Sequence, residues 1–379
     1  MRFANIPVQQ KNKLLMRLIC FFWIVAKAIS WKLWLSDRLF PLVPVFGLFV
    51  PSFVHVLLFI FSLATLLLLF ILPTNRNLQI GLLTIEILSC LLDQNRWQPW
   101  EFQYFFLVLV FIINYKREKN IPAILGFILA AMYFYSGLSK VNPLFVNAVW
   151  YQIILTRLFH VSYATAHQPL VYHIGYLLAV IEIVLSIALF FKRTKKAAVI
   201  LIAVMHLIIL FMFGPWGINY DIIIWPWNIV LPICVYILFY NEPSAFSLKP
   251  LLYSANKLII IFFGILPFLN LFGYWEYFFS SSLFSYRPPD MYIYIKNSAA
   301  NKTLQGFNLK GQPLEYVDKN CYVIYVRDWA FREMLAPENP EIRIYKGIKE
   351  QLLKRYPGLD ASFIIYSYSN GKRVKAELK

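Results

Sequence analysis

Long stretches of apolar residues constrain the fold of this sequence more than any other feature. A helix of about 20 apolar residues spans the ~30 Å hydrocarbon layer of a bilayer. The approximate stretches are 14–31, 53–72, 78–92, 100–114, 121–138, 169–191, 196–213, 222–240 and 257–279. They predict an all-α polytopic membrane protein with about nine transmembrane helices, in a domain covering residues 1–284.

The composition agrees with lipid as the solvent for most of the chain. Sixty per cent of the residues are hydrophobic and 15% are charged, which is more apolar surface than one soluble core of this length buries. The net charge is +17, but the cations cluster between apolar stretches. We therefore expect membrane lipid as a partner and no nucleic acid.

The basic clusters predict the orientation of the chain. If the N-terminus is cytoplasmic and nine helices span, 14 lysines and arginines fall in cytoplasmic segments and five in outer loops. Cytoplasmic loops carry such an excess. The basic residues before the first stretch favour a retained helix over a cleaved signal peptide. The C-terminal region is then predicted to lie on the outer side of the membrane, in the periplasm, the cell exterior or a lumen.

Residues 285–379 have a different composition and are predicted to form a small α+β domain on that outer face. Residues 291–295 and 321–326 are rich in β-branched and aromatic residues, which favours strands. Residues 340–356 have helical periodicity, and Asp328 is predicted to cap a shorter helix before them. Asn370-Gly371 predicts a hairpin between strands 362–369 and 373–378.

Five ionisable residues fall within or beside the apolar stretches: Lys27, His55, Glu86, Glu182 and His206. Such groups are costly in a bilayer and are functional candidates by default. The structural alternatives are a snorkelling lysine, a histidine near a helix end, and a hydrogen-bonded core histidine. Glu86 and Glu182 lie deeper, and each needs a partner or a proton.

Three outer turns, at 92–101, 133–143 and 214–228, contain unusual polar and aromatic residues. Tryptophans at such places often form only an interfacial belt. Irregular backbone at membrane depth is tolerated against protein or a wet cavity, so the turns also fit a pocket that opens outward. The candidate binding residues in these turns are Asp93, Trp97, Trp100, Asn142, Trp225 and Asn228.

The same turns carry a family resemblance over about residues 14–290. LDQNRWQPWEFQY (92–104) resembles an Asp-x-x-x-Trp hairpin, and YFYSGLSKVN (133–142) resembles a Tyr-Phe-x-x-Gly-x-x-Lys-x-Asp/Asn segment. MHL (205–207), the GPWGINYDIIIWPWN turn and FSSSLFS (279–285) follow in the same order. Together these motifs resemble the horizontally transferred transmembrane domain proteins, relatives of vitamin K-dependent gamma-carboxylase.

The resemblance implies a reduced quinone of the vitamin K type as cofactor, bound on the outer side. In the carboxylase a lysine deprotonates the hydroquinone, oxygen yields an epoxide and a strong alkoxide base, and that base prepares a glutamate side chain for carboxylation. Lys140 stands at the lysine position and His206 at a histidine position that could orient the quinol. An apolar pocket would favour the neutral amine that this chemistry needs.

Two departures make peptide carboxylation doubtful. Trp100 stands where the carboxylase has a histidine in its first hairpin, and an indole cannot relay a proton. The tail after residue 284 is also much shorter than the region in which the carboxylase holds its protein substrate.

Two functions therefore remain open: a quinol-dependent oxygenase with Lys140 as base, and a non-enzymatic membrane module that binds a lipid or isoprenoid and presents its C-terminal domain. A transporter is disfavoured, because the two halves show no inverted repeat. No CxxC or Cys/His spacing is present, so no metal is predicted. The wide bacterial occurrence of the family favours a bacterial inner membrane.

Overall fold

The computed structural model describes residues 6–219, 222–242, 246–282, 284–285, 287–296, 302–308, 321–369 and 372–378. The chain divides into two compact units. The first comprises Met1–Ile29, Ile60–Glu86 and Pro99–Tyr286, and the second Ser30–Phe59, Ile87–Gln98 and Arg287–Lys379. The hypothesis of two domains divided between residues 284 and 285 stays a prediction. The second compact unit contains the C-terminal region and, in addition, the earlier segments Ser30–Phe59 and Ile87–Gln98.

Helices form over every stretch that the apolar runs predicted. They are α1 (Val8–Ile29), α2 (Ser52–Ile71), α3 (Arg76–Leu92), α4 (Pro99–Ile113), α5 (Ile121–Lys140), α6 (Pro143–Phe145), α7 (Tyr163–Ala166), α8 (Pro169–His173), α9 (Gly175–Ala188), α10 (Lys195–Phe213), α11 (Ile224–Val235), α12 (Lys257–Ile260) and α13 (Leu266–Asn270). Three π-helical segments, Val146–Leu158, Tyr236–Tyr240 and Ile261–Ile265, continue α6, α11 and α12. Short 3₁₀ turns occupy Trp31–Trp34, Val45–Gly47, Gln94–Arg96, Glu118–Asn120, Lys249–Leu252, Ser254–Asn256 and Phe278–Ser280.

Four helical segments in the described parts of the chain are long and apolar enough to cross a membrane. They are Ser52–Ile71, Glu118–Lys140, Pro169–Ala188 and Lys195–Phe213. The mostly helical class is confirmed, and the four segments support membrane association; the count of nine spans is not supported. The reason is length and charge: α4 has 15 residues and α3 has 17, while α1 carries four lysines and arginines.

The second unit contains a four-stranded antiparallel sheet in the order β2-β1-β3-β4. The strands are β1 (Asp290–Lys296), β2 (Cys321–Tyr325), β3 (Ala361–Ser369) and β4 (Lys372–Glu377). β3 and β4 pair with Ser369 opposite Lys372, which confirms the hairpin; its turn residues Asn370 and Gly371 lie outside the described residues.

Three helices complete the C-terminal part of this unit: α14 (Lys302–Gln305), α15 (Val326–Met334) and α16 (Ile342–Arg355). α16 buries Ile344, Ile348 and Leu352, as its periodicity predicted. The prediction that Asp328 caps α15 is wrong, because the helix begins two residues earlier and Tyr325 is its N-cap.

Hydrogen bonds join the hairpin at Ile87–Gln98 to the C-terminal segment of the second unit. Gln98 Nε2 donates to the Pro337 carbonyl at 2.8 Å, and the Asn339 N–H donates to Asn95 Oδ1 at 3.1 Å. These bonds explain why this hairpin, 190 residues before β1, belongs to the same compact unit.

Candidate functional site

Lys140, the last residue of α5, forms an ion pair with a glutamate from another helix of the first unit. Its Nζ lies 2.6 Å from Glu182 Oε2 on α9 and donates to Ser136 Oγ at 2.8 Å. The two charged side chains are 16% and 9% exposed. The pair is therefore largely shielded from solvent, and its Coulomb attraction is stronger than at a protein surface.

Gly137 makes this pairing possible by letting α5 and α9 approach closely. A Cβ at this position would lie 2.8 Å from the Ala179 carbonyl oxygen and 3.0 Å from the Ile183 backbone nitrogen. Small residues permit such backbone contact between membrane helices. The glycine of the 133–142 motif thus positions Glu182 beside the motif's lysine.

A second set of polar side chains joins three helices around His206. His206 Nδ1 lies 2.8 Å from Asn228 Oδ1, and its Nε2 lies 2.7 Å from the Tyr133 hydroxyl. Asn228 Nδ2 donates to the Ile224 carbonyl, which leaves Oδ1 as an acceptor. His206 then carries its proton on Nδ1 and accepts a hydrogen bond from Tyr133 at Nε2.

The two sets belong to one cluster. Tyr133 and Lys140 lie two turns apart on α5, and they bond His206 and Glu182 respectively. Side chains from α5, α9, α10 and α11 thus converge, although the chain places them far apart. We call Tyr133, Ser136, Lys140, Glu182, His206 and Asn228 the lysine–histidine cluster.

An apolar cavity of about 240 Å³ lies one turn along α5 and α9 from the Lys140–Glu182 pair. Its wall includes Tyr135, which precedes Ser136, and Ser186, which follows Glu182 by one turn. The remaining lining residues are Phe127, Ala130, Ala131, Phe134, Ile187, Phe190, Phe263 and Gly264. An aromatic, apolar wall with a tyrosine and a serine fits a hydrophobic ring or isoprenoid chain with one polar end.

Two other predicted binding residues of the first unit have structural roles. Asn142 caps α6: its Oδ1 accepts from the Phe145 N–H at 2.9 Å, and its Nδ2 donates to the carbonyls of Ser139 and Ser285. The indole of Trp225 lies against Gly214, where an added Cβ would come within 2.9 Å of it. Both residues shape the chain beside the cluster.

Trp100 lies near the start of α4 in the first unit and is 6% exposed. Its Nε1 has no hydrogen-bond partner within the part of the chain that the structure describes. A buried indole N–H usually has an acceptor. The Trp100 indole N–H is therefore available to donate a hydrogen bond to a bound molecule.

Asp93 and Trp97 belong to the second unit. Asp93 is fully buried and holds its loop together: Oδ1 accepts from the Val43 N–H at 3.2 Å and from the Asn95 N–H at 3.2 Å, and the other oxygen pairs with Arg38. Trp97 follows the 3₁₀ turn Gln94–Arg96 as its C-cap. Their predicted role in cofactor binding stays a prediction, and the structure explains Asp93 as a loop-forming residue.

Sequence reasoning noted Glu182 as needing a partner but did not identify Lys140 as that partner. Tyr133 and Ser136 were recognised only as positions of the 133–142 motif, with no role assigned to their side chains. The signal that could have found them is the helical spacing of Tyr133, Ser136 and Lys140, which puts all three on one face of α5. Among the described residues, no group of three or more His, Cys, Asp and Glu side chains could hold a metal ion.

No protein-family model, curated protein or solved structure matches this chain. The function is therefore argued from the motifs and from the site geometry.

Proposed function

We propose that this chain is an integral membrane protein that binds a reduced quinone beside Lys140 and His206 and accepts protons from it, as a quinol-dependent oxygenase. The observation that carries the proposal is the lysine–histidine cluster. The two residues singled out by the family resemblance are each held by α5 in this cluster, Lys140 as part of the helix and His206 through Tyr133, and an apolar cavity begins one turn away. A bound quinol would supply the reducing electrons for oxygen.

The Lys140–Glu182 pair suits proton acceptance because a proton can lie on either partner. As an ion pair, Lys140 holds the proton and cannot act as a base. Moving that proton onto Glu182 gives a neutral amine and a neutral acid, and shielding from water lowers the cost of that neutral form relative to the charged one. Lys140 can then take a proton from a bound hydroxyl group.

His206 and Tyr133 have orienting roles in this proposal. Asn228 holds the imidazole in the tautomer with the proton on Nδ1. Tyr133 donates to Nε2 and so fixes the ring plane. A bound quinol oxygen that displaces Tyr133 would find the acceptor nitrogen already in position.

Two features argue against peptide carboxylation by this chain. Trp100 occupies the position of the carboxylase histidine, and an indole donates a hydrogen bond but takes no proton. The C-terminal segment of the second unit is a four-stranded sheet with three helices in the part of the chain that the structure describes.

The test is conversion of a reduced naphthoquinone to its epoxide by purified protein in detergent. We expect product from the wild type and none above background from Lys140→Ala. Lys11→Ala is the matched control, since Lys11 also pairs with a glutamate, Glu242, at 3.1 Å. Equal product from wild type and Lys140→Ala, or no product from folded wild type with several quinols, contradicts the proposal.

The apolar cavity favours a second candidate function, binding of a lipid or isoprenoid without chemistry. Native mass spectrometry of the protein extracted from its membrane tests it. A retained lipid that Phe190→Trp displaces, with no oxygen consumed and the same lipid retained by Lys140→Ala, would support the lipid-binding module over the oxygenase.

We further propose that the protein lies in a bacterial inner membrane, with the N-terminus in the cytoplasm and the C-terminal segment outside.

A further inference from the structure

A second group of charged side chains lies in the first unit, and only Glu101 among its members belongs to a motif of the resemblance. Lys27 Nζ on α1 lies 2.8 Å from Glu86 Oε2 on α3 and 3.5 Å from Glu101 Oε1 on α4. All three side chains are 0% exposed. Snorkelling of Lys27 to the membrane surface is therefore the wrong interpretation.

Other side chains around these three donate hydrogen bonds to the carboxyl groups. Trp23 Nε1 donates to Glu101 Oε2 at 2.7 Å, and Ser62 on α2 donates to Glu86 Oε1. Glu101 Oε1 accepts no hydrogen bond from any described residue. That atom is a buried acceptor next to Lys27 and next to the other carboxyl group.

The charges of this group do not balance if every member is ionised. One lysine faces two carboxylates, so the net charge would be −1 in a site without solvent. An unbalanced buried charge is strongly unfavourable, and a buried group takes up or loses a proton to avoid it. Both carboxyl groups lie within 3.5 Å of the same Lys27 Nζ, and one ammonium group balances the charge of only one carboxylate.

We propose that Glu86 and Glu101 share one exchangeable proton and, with Lys27, form a proton-binding site within the membrane unit. With the proton bound, the group is neutral: one ammonium, one carboxylate and one carboxylic acid. When the proton leaves, the group carries one negative charge. This site does not depend on quinol chemistry.

The test is infrared difference spectroscopy of the full-length protein, following the C=O stretch of a protonated carboxylic acid. The spectrum is recorded at about pH 9. Burial raises the pKa of Glu338 to about 7, so this residue is ionised at that pH and adds no acid band. We expect a wild-type acid band that shifts in D₂O. Glu86→Gln and Glu101→Gln should each remove it, because the lysine and the remaining carboxylate then balance.

Lys27→Met should raise the band to about twofold, since both carboxyl groups then need a proton. Ser62→Ala is the matched control that keeps every charge and should keep the band. A difference spectrum without an acid band, or a band that survives either amide substitution, overturns the proposal. The D₂O shift is measured on the wild type alone, so the test stands if a variant fails to fold.

Discussion

Lys140 and Lys27 of the first unit each meet a glutamate at hydrogen-bond distance, but they meet different numbers of carboxyl groups. Lys140 has Glu182, at 2.6 Å, and Lys27 has Glu86 and Glu101. A pair is neutral whether its proton is on the amine or on the acid. A triad is neutral only with one more proton. The Lys140–Glu182 pair and the Lys27–Glu86–Glu101 group therefore differ in proton affinity, because they differ in the ratio of amines to carboxyl groups.

Tyr133→Phe tests the hydrogen bond to His206. The variant leaves Nε2 without its donor and lets the ring turn, so we expect about 1 kcal/mol lower stability, typical of side-chain hydrogen bonds between membrane helices, and slower quinol turnover. Thermal unfolding in detergent and the epoxide assay measure the two effects. Tyr240→Phe, in a tyrosine stacked on Tyr236, is the control; equal loss in both variants would contradict a special role for Tyr133.

Glu338 makes the second unit sensitive to pH. It is 1% exposed, and burial raises its pKa to about 7 from 4.5, against the opposing effect of Arg327. Between these values the folded state holds a proton that the unfolded state has lost. Stability is therefore highest below about pH 4.5 and falls as pH rises to about 7, by about 3 kcal/mol in total.

Hydrogen exchange of β1 amides in the full-length protein measures this dependence. We expect exchange through unfolding to become faster as pH rises, after correction for the intrinsic rate. Glu338→Gln should flatten the profile, and Glu350→Gln, in an exposed glutamate of α16, should leave it unchanged. A wild-type profile that is already flat between pH 4.5 and 7 would exclude this role for Glu338.

At the scale of elements, Gly137 sets the distance between α5 and α9. In Gly137→Ala the new methyl group meets backbone atoms that cannot move independently, so we expect a loss of about 1–3 kcal/mol from overpacking and weaker quinol turnover. Gly81→Ala is the control, because an added Cβ there meets nothing within 4 Å. Its stability should stay the same or rise slightly. Equal behaviour of the two variants in thermal unfolding would contradict this packing role.

The positions of helices and strands could be predicted from the sequence better than the side-chain contacts between them. The strands and α16 of the C-terminal segment were located correctly, because a period of two, a helical period and an Asn-Gly turn are local signals. The partner of Lys140 was not predicted, since the register between α5 and α9 depends on Gly137 and not on periodicity. The number of spans was also not supported, because apolar stretches fix where helices form but not whether α4, with 15 residues, crosses the bilayer.

At the scale of the molecule, the number of spans decides on which sides the two ends lie. An odd number, such as nine, puts the C-terminal segment opposite the N-terminus, and an even number, such as four, puts both on one side. The excess of basic residues in alternate loops favours the first arrangement.

Labelling of intact cells with a membrane-impermeant maleimide distinguishes the two arrangements. We expect native Cys321, which is partly exposed, to react, and Lys13→Cys and Lys192→Cys to react only after permeabilisation. Cys321→Ser removes the background label. Reaction of Lys13→Cys together with Cys321 in intact cells would require an even number of spans.

The sheet order has a consequence for biogenesis. β1 is the first strand to leave the ribosome, yet it lies between β2 and β3, and β4 ends at Glu377. The sheet can therefore close only after β3 and β4 have left the ribosome, when the helices before residue 287 have already been made. Until then β1 presents unpaired N–H and C=O groups that attract other strands. A nascent chain that stalls or is cut before β3 would keep that edge open and become a substrate for chaperones and proteases.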